Sequence, residues 1–391
     1  MADPALVFQD GQPADVPGVH AIVIGIGHHR HFPGGEGLEM DADGGTMSQL
    51  SSPPHSARTV ADCLLETFHE DPEGPLRSLS MVIADRGGPA EYAHLLCPRR
   101  PVPDATLDSL RAAIQSWFQR GDAHEDNLLI FYICCHGIST GMQQTLLASD
   151  FLADQFDIFR HAIDFTQFHA GMSRCAAREQ IYFVDASWTI SENLMRDGSK
   201  GEPIVSSHAG AIKETAPIYR SRLEGKAAWG LPNQASPFAQ ALPKAFQGGA
   251  WDRELGRWHL GTTRLQGALE QQIKRLMRRF RTFSNLIEVD RAASLRLKSL
   301  AFDAHPIHPV EIACLPEVAN ETVVLTAHPE DRNEQIVIPS RVPPQKDSWL
   351  LDLRMGVYDM SARFPGHEIN DPPDKEIFVH SDNVSEVIEV S

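Results

Sequence analysis

LLIFYICCHG at 128–137 and QIYFVDAS at 180–187 are continuous apolar runs of strand length, and each ends in residues that titrate or react. A run without polar alternation fits a strand covered on both faces, the situation of a central strand in a parallel sheet. Outward from these two, VHAIVIGIG (19–27) and LSMVIA (79–84) read the same way. Between them Val60, Leu64, Leu65 and Phe68 recur at helical spacing behind Ser56, which is expected to cap that helix. Leu107, Leu110, Ile114 and Phe118 mark a second helix over 104–119, and a third is expected from Asp164 to Ala177. TLLASD (145–150) is a short extended segment, and HHRHFPGGEGLEMDADGGTMSQL (28–50) is a long polar loop rich in glycine. Strands alternating with helices in this way predict an α/β fold with a mostly parallel central sheet.

Farther along, SENLMRDGSKGEPIVSSHAG (191–210) reads as an exposed linker. APIYRSRL and KAAWGL follow as strands, then a helix from Ser236 to Phe246. The amphipathic TRLQGALEQQIKRLMRRF ends near Phe280 in arginines suited to a helix C-terminus. From about Ser284 the pattern changes to short Val-, Ile- and Leu-rich segments (VEIACL, ETVVLTA, WLLDLRM, VYDMSARF, EIFVH) separated by Pro, Asn, Asp and Gly. Many short strands with turn signals predict an all-β, sandwich-like domain over 284–391 behind an α/β domain over 1–283. The C-terminal stretch carries 19 acids and 9 bases, so it is the more acidic part of the molecule.

Across 391 residues, acids outnumber bases 52 to 35, a net charge of −17. Such a balance argues against sequence-independent nucleic-acid binding, which depends on Lys and Arg neutralising phosphates. The six cysteines are too sparse for a disulfide scaffold and form no CxxC pair, so they read as reduced thiols of a cytoplasmic protein. No apolar run approaches the ~20 residues that span a bilayer, and the N-terminus shows no secretory signal. A soluble protein with no nucleic-acid or membrane partner is the expectation.

In a parallel α/β sheet, ligands and reacting groups gather beyond the carboxyl ends of the strands. The third long strand is expected to end in Cys135-His136-Gly137 and the fourth in Asp185-Ala186-Ser187-Trp188. An imidazole beside a nucleophile, with backbone N–H groups nearby, can support acyl transfer through a tetrahedral intermediate. As nucleophiles Cys134 and Cys135 compete poorly, since they read as small buried strand residues, and Cys135 adjoins His136 and would face away from it. VIGIG is no dinucleotide fingerprint, because Arg30 stands where the third glycine of G-x-G-x-x-G would fall. Neither metal nor cofactor is expected. His28, His29 and His31 read as a polar loop.

At these residues the sequence resembles the caspase-like cysteine peptidases, the group of caspases, metacaspases and many bacterial relatives. VHAIVIGIG, TVADCLLETF, LLIFYICCHG, TLLASD, IYFVDAS, KAAWGL and SPFAQAL match in that order over roughly 19–280. The resemblance implies a three-layer caspase-like fold and a dyad of His136 as base with residue 187 as nucleophile. Gly137 and residue 187 would supply the oxyanion N–H groups. The family has cysteine at 187, and this chain has Ser187. A thiol with a pKa near ~8.5 ionises readily beside an imidazole, whereas a serine needs a base held by a third group. No such orienting acid is evident, and the G-x-S-x-G elbow is absent. An engineered change from cysteine and a natural pseudopeptidase that binds proteins through the retained groove both remain open. An unrelated α/β binding domain is a third reading.

The resemblance further implies where specificity lies. Caspases hold a substrate aspartate with arginine, and Gly230 stands where one of those arginines belongs. Metacaspases cut after Arg or Lys with an acid two residues before the nucleophile, the position of Asp185. A buried carboxylate there would accept a guanidinium bidentately, the alternative being bonds to backbone at the strand end. Trp229 would line the groove unless it is plain core, and Cys134 and Asp150 would lie near the pocket, Asp150 equally suiting a turn. The 191–210 linker falls where caspases are cut between large and small subunit parts, and Arg196 and Lys200 are candidate processing sites. Some relatives need calcium, for which Glu39, Asp41 and Asp43 offer oxygens, although their spacing matches no EF-hand and a solvated loop explains them. Bacterial relatives often act in defence or death systems with an upstream protein activator, which adds a possible partner beside the protein or peptide substrate.

Overall fold

A computed structural model describes residues 3–13, 15–37, 47–69, 71, 73–140, 143–189, 201–205, 216–221, 232–254, 257–277, 287–290, 295–300, 306–329, 335–342, 344–366, 370–379 and 384–390. The chain divides into two units, one of residues 1–243 and 268–298, the other of 244–267 and 299–391.

The first unit is built on a nine-stranded sheet. In chain order its elements are β1 (Leu6–Gln9), β2 (Val19–Ile26), α1 (Ser52–Phe68), β3 (Leu76–Ala84), β4 (Ala90–His94), β5 (Cys97–Val102) and α2 (Leu107–Gly121). Then come β6 (Leu128–Thr140), β7 (Gln143–Leu147), β8 (Ala162–Asp164), α3 (Phe165–Gly171), β9 (Glu179–Thr189), β10 (Ile218–Ser221) and α4 (Pro237–Lys244). Strands β3, β2, β6, β9 and β10 lie side by side and parallel. Antiparallel β1 closes one edge and Ile287–Asp290 the other. The α/β reading with a mostly parallel sheet therefore holds. Ile287–Asp290, placed by sequence beyond the boundary at 284, pairs with β10 in this sheet. The hairpin β4–β5 had no counterpart in the sequence reading.

The two sheet faces are covered differently. Leu110, Ile114 and Trp117 of α2 and Phe165 and Phe168 of α3 share one buried cluster with Ile22, Ile24, Phe131, Ile133, Tyr182 and Val184. On the other face α1 lies so close to β2 that a Cβ at Gly25 would sit 2.4 Å from the Pro53 carbonyl oxygen. Helix α1 starts at Ser52, with prolines in its first turn where a missing N–H costs nothing. Ser56, the expected cap, is instead buried inside the helix, and its hydroxyl accepts the Ser236 N–H at 2.8 Å. Helix α2 is capped by Thr106, whose hydroxyl accepts the Ser109 N–H at 3.3 Å. Helix α3, shorter than expected, is capped by Asp164 and ends in a turn of 3₁₀ helix over Met172–Arg174.

Both central strands run past the tips expected at 135 and 187. Strand β7 folds back antiparallel on residues 137–140 of β6, and β9 follows β6 in parallel register as far as Ile138 opposite Thr189. Continued pairing gives these backbone groups partners that a tip would leave to solvent.

In the second unit Trp349–Arg354, Ile307–Leu315 and Val384–Glu389 form one sheet. Ile336–Ile338, Val324–Pro329, Gly356–Arg363 and Lys375–Val379 form another. Val310, Ile312, Leu325, Trp349, Tyr358 and Met360 from the two sheets share one buried core. No described helix is long and apolar enough to cross a membrane.

Candidate active site

Side chains alternate along a strand. Tyr132, Cys134 and His136 of β6 therefore project from the same face as Phe183, Asp185 and Ser187 of β9, the face covered by α1. The parallel register sets Cys134 opposite Asp185 and His136 opposite Ser187. Neighbouring strands lie about 4.8 Å apart, so the two residues are direct cross-strand neighbours whose Cβ atoms leave the sheet on the same face. Both are largely buried, His136 at 5% and Ser187 at 8% exposure.

The His136 Nε2 lies 2.8 Å from the Ser48 carbonyl oxygen. A carbonyl only accepts, so Nε2 carries the hydrogen and Nδ1 the lone pair of the neutral ring. Burial lowers the imidazole pKa to about 4, which keeps His136 neutral, and able to take a proton, at pH 7. The rings of His29 and Phe32 stand 5.4 and 5.7 Å from it. His29 is fully buried, with Nδ1 at 3.0 Å from the Ala148 carbonyl oxygen. A residue read as part of a polar loop thus packs beside the candidate base.

Two residues before Ser187, the Asp185 carboxyl is enclosed rather than open to a groove. Its Oδ2 accepts from the Tyr132 hydroxyl at 3.0 Å and from the Ser236 hydroxyl. Ser236 Oγ in turn accepts the Ala239 N–H at 3.0 Å, which caps α4. Burial pushes the Asp185 pKa up to about 6, against the pull of the Ser236, Tyr132 and Cys134 donors. Hydroxyls rather than a cation satisfy this carboxyl among the described residues. The Cys134 thiol beside it is held well above its ordinary pKa, by burial first and by Asp185 next. Neither it nor Cys135, buried on the opposite face, is primed as a thiolate.

The other sequence candidates are placed as follows. Gly137 lies not at an open tip but between Trp188 of β9 and Leu146 of β7. Asp150 turns to the N-terminus of α2, where Oδ1 accepts the Leu107 N–H at 3.0 Å and Oδ2 lies 2.8 Å from His161 Nδ1. Trp229, Gly230, Arg196, Lys200, Glu39, Asp41 and Asp43 lie outside the described residues. His28 pairs with Glu36 at 2.5 Å, and no cluster of three or more His, Cys, Asp or Glu that could hold a metal occurs among the described residues. A cavity of about 680 Å³ beside the ends of β2 and β3 is lined by His28, Arg30, Glu36, Asp85, Arg86 and Asp104, and by neither His136 nor Ser187. Tyr132, Ser236, Ser48 and Gln49 were not singled out by sequence. Of these, Ser236 was read only as the start of a helix, which it caps, and Tyr132 carried a signal as a polar residue within an apolar run, two positions before Cys134.

No family model matches the chain. It is 27% identical over 179 residues to the uncharacterized protein y4kE of Sinorhizobium fredii. That match takes in 45% of this chain, and the chain spans about half the length of that relative. Caspase-1 of Spodoptera frugiperda is similar in fold, with a TM-score of 0.39, 13% identity, and 75% of this chain and 97% of that chain covered. The pro-sf-caspase-1 structure gives 0.39 and 11%, over 70% of this chain and 91% of that one. The resemblance to caspase-like structures is thus one of fold, and distant.

Proposed function

We propose that the first unit carries a caspase-like endopeptidase site in which His136 is the base and position 187 the nucleophile. The observation that supports it is the register of β6 and β9, which sets the two side chains next to each other on one face. In the reaction a nucleophile at 187 gives its proton to His136 Nδ1 and attacks the scissile carbonyl. The imidazolium then returns the proton to the leaving amine. With Ser187 the site has a hydroxyl where a thiol would ionise far more readily beside an imidazole. The chain as it stands is inactive on this reading.

We assign the enzyme a preference for a basic residue before the cleaved bond, Arg above Lys, with Asp185 as its counter-charge. A substrate guanidinium would take the place of the Ser236 hydroxyl at Oδ2. Linker cleavage after Arg196 or Lys200 is the matching self-processing reaction. A protein substrate, an upstream activator and a recruiting role for the C-terminal β unit complete the proposal. The second reading, a pseudopeptidase scaffold, is favoured by Ser187 itself. Assaying the Ser187→Cys chain on a fluorogenic peptide library decides between them. Hydrolysis after Arg supports the peptidase, hydrolysis only after Asp removes the role of Asp185, and no hydrolysis favours the scaffold.

A further inference from the structure

His136 rests its Nε2 hydrogen on the carbonyl of an exposed residue in an irregular stretch, Ser48. No helix or strand fixes that carbonyl. Met47 before it is buried against Phe32 and Phe151, and the next residue clamps it from the other side. The Gln49 side-chain amide accepts the His29 N–H through Oε1 at 2.8 Å and donates through Nε2 to the His29 carbonyl at 2.7 Å. One primary amide closes a two-bond ring on the backbone of residue 29, as a neighbouring strand would, and reaches the Phe32 carbonyl at 3.4 Å as well. Beside it the Leu50 N–H donates to the Gly27 carbonyl at 2.8 Å. The contact is so close that a Cβ at Gly27 would fall 2.4 Å from the Leu50 carbonyl oxygen.

Residue 29 is a firm anchor for such a clamp. Its buried ring stacks on Phe32 at 4.5 Å and 24°, its Nδ1 meets the Ala148 carbonyl, and the next N–H, of Arg30, donates to the Ser149 carbonyl at 2.9 Å. A path of hydrogen bonds therefore runs from the segment after β7 through His29 to Gln49, and its neighbour Ser48 presents a carbonyl to His136. We infer that Gln49 is a positioning residue for the base: by clamping the backbone of His29 it holds the Ser48 carbonyl that selects the Nε2–H tautomer of His136. That tautomer leaves the lone pair on Nδ1, the nitrogen a nucleophile at 187 would use. The inference rests on His136 being the base, yet the tautomer is observable in the Ser187 chain without any activity.

The test is ¹⁵N NMR of the histidine rings in the full chain at pH 7, with the His136 signals assigned by their loss in His136→Gln. Gln49→Ala is expected to lower the Nε2–H to Nδ1–H ratio of His136 by about tenfold, the scale of one net hydrogen bond. Gln49→Glu keeps the acceptor for the His29 N–H and loses the donor, so an intermediate shift is expected, and it decides the matter should the alanine variant not fold. In the Ser187→Cys background Gln49→Ala should lower kcat about tenfold with KM unchanged. An unchanged tautomer ratio in a folded Gln49 variant overturns the inference. A shifted ratio in a chain whose Ser187→Cys form hydrolyses nothing overturns the peptidase reading and leaves the positioning role in place.

Discussion

A methyl group at position 137 would fall 2.7 Å from two carbons of the Trp188 ring. The glycine after His136 thus makes room for the residue opposite it on β9, a packing reason that stands apart from any oxyanion role. Gly137→Ala is expected to lower stability by about 1–3 kcal/mol through overpacking, seen as a lower urea midpoint with an unchanged slope. Asp185 governs a pH effect at the same scale. Its pKa is raised from 3.8 to about 6, so the folded state holds the proton more tightly than the unfolded chain. The stability it contributes is complete below pH 3.8 and lost as pH rises through 6, by about 3 kcal/mol at most. His136, lowered from 6.5 to about 4, works in the opposite sense, its contribution present above 6.5 and lost as pH falls through 4. The expected outcome is that Asp185→Asn gains stability relative to the parent chain between pH 4 and 7, measured by denaturant unfolding across that range. A difference that does not change with pH contradicts it. As candidates, His136, Asp185 and Ser187 stood out in the sequence because polar residues end apolar runs there. Their partners did not, because Ser48, Gln49 and Ser236 reach the site from segments distant in sequence.

Among the elements, β6 and β9 carry the candidate residues, and their apolar runs made their existence plain. Their lengths were hidden, since what extends them is the return of β7, and a five-residue antiparallel partner leaves little trace in composition. The start of α1 was hidden for a different reason: Ser56 is a fitting cap by type, yet the prolines at its N-terminus begin the helix earlier. Helix α4 meets the sheet through Phe238, whose ring packs edge-on against Phe183, and through Ser236, which caps the helix and donates to Asp185. Ser236→Ala removes both interactions, and a loss of about 1–3 kcal/mol is expected in chemical denaturation. It should also raise the Asp185 pKa further, since the hydroxyl favours the charged carboxylate. Titration of Asp185 by carboxyl ¹³C NMR checks the direction, and a lowered value contradicts it.

Over the whole molecule, the α/β sheet and the change to β structure toward the C-terminus were both legible, because periodicity and turn signals change along the chain. The assignment of 244–267 to the second unit was not, since strands and helices drawn from two stretches of sequence share no local pattern. At this scale the proposed self-processing has a simple outcome. Intact-mass analysis of purified Ser187→Cys protein should show fragments ending at Arg196 or Lys200, absent from the Ser187 chain, and an uncut chain after incubation with active enzyme contradicts it. The pairing of His136 with position 187 is tested most directly by the rate at which iodoacetamide alkylates the thiol in Ser187→Cys, followed from pH 5 to 9 with and without His136→Ala. An imidazole beside that thiol is expected to give fast alkylation that persists well below pH 8 and falls about tenfold or more at pH 7 when His136 is removed. Identical pH profiles in the two chains would contradict the site.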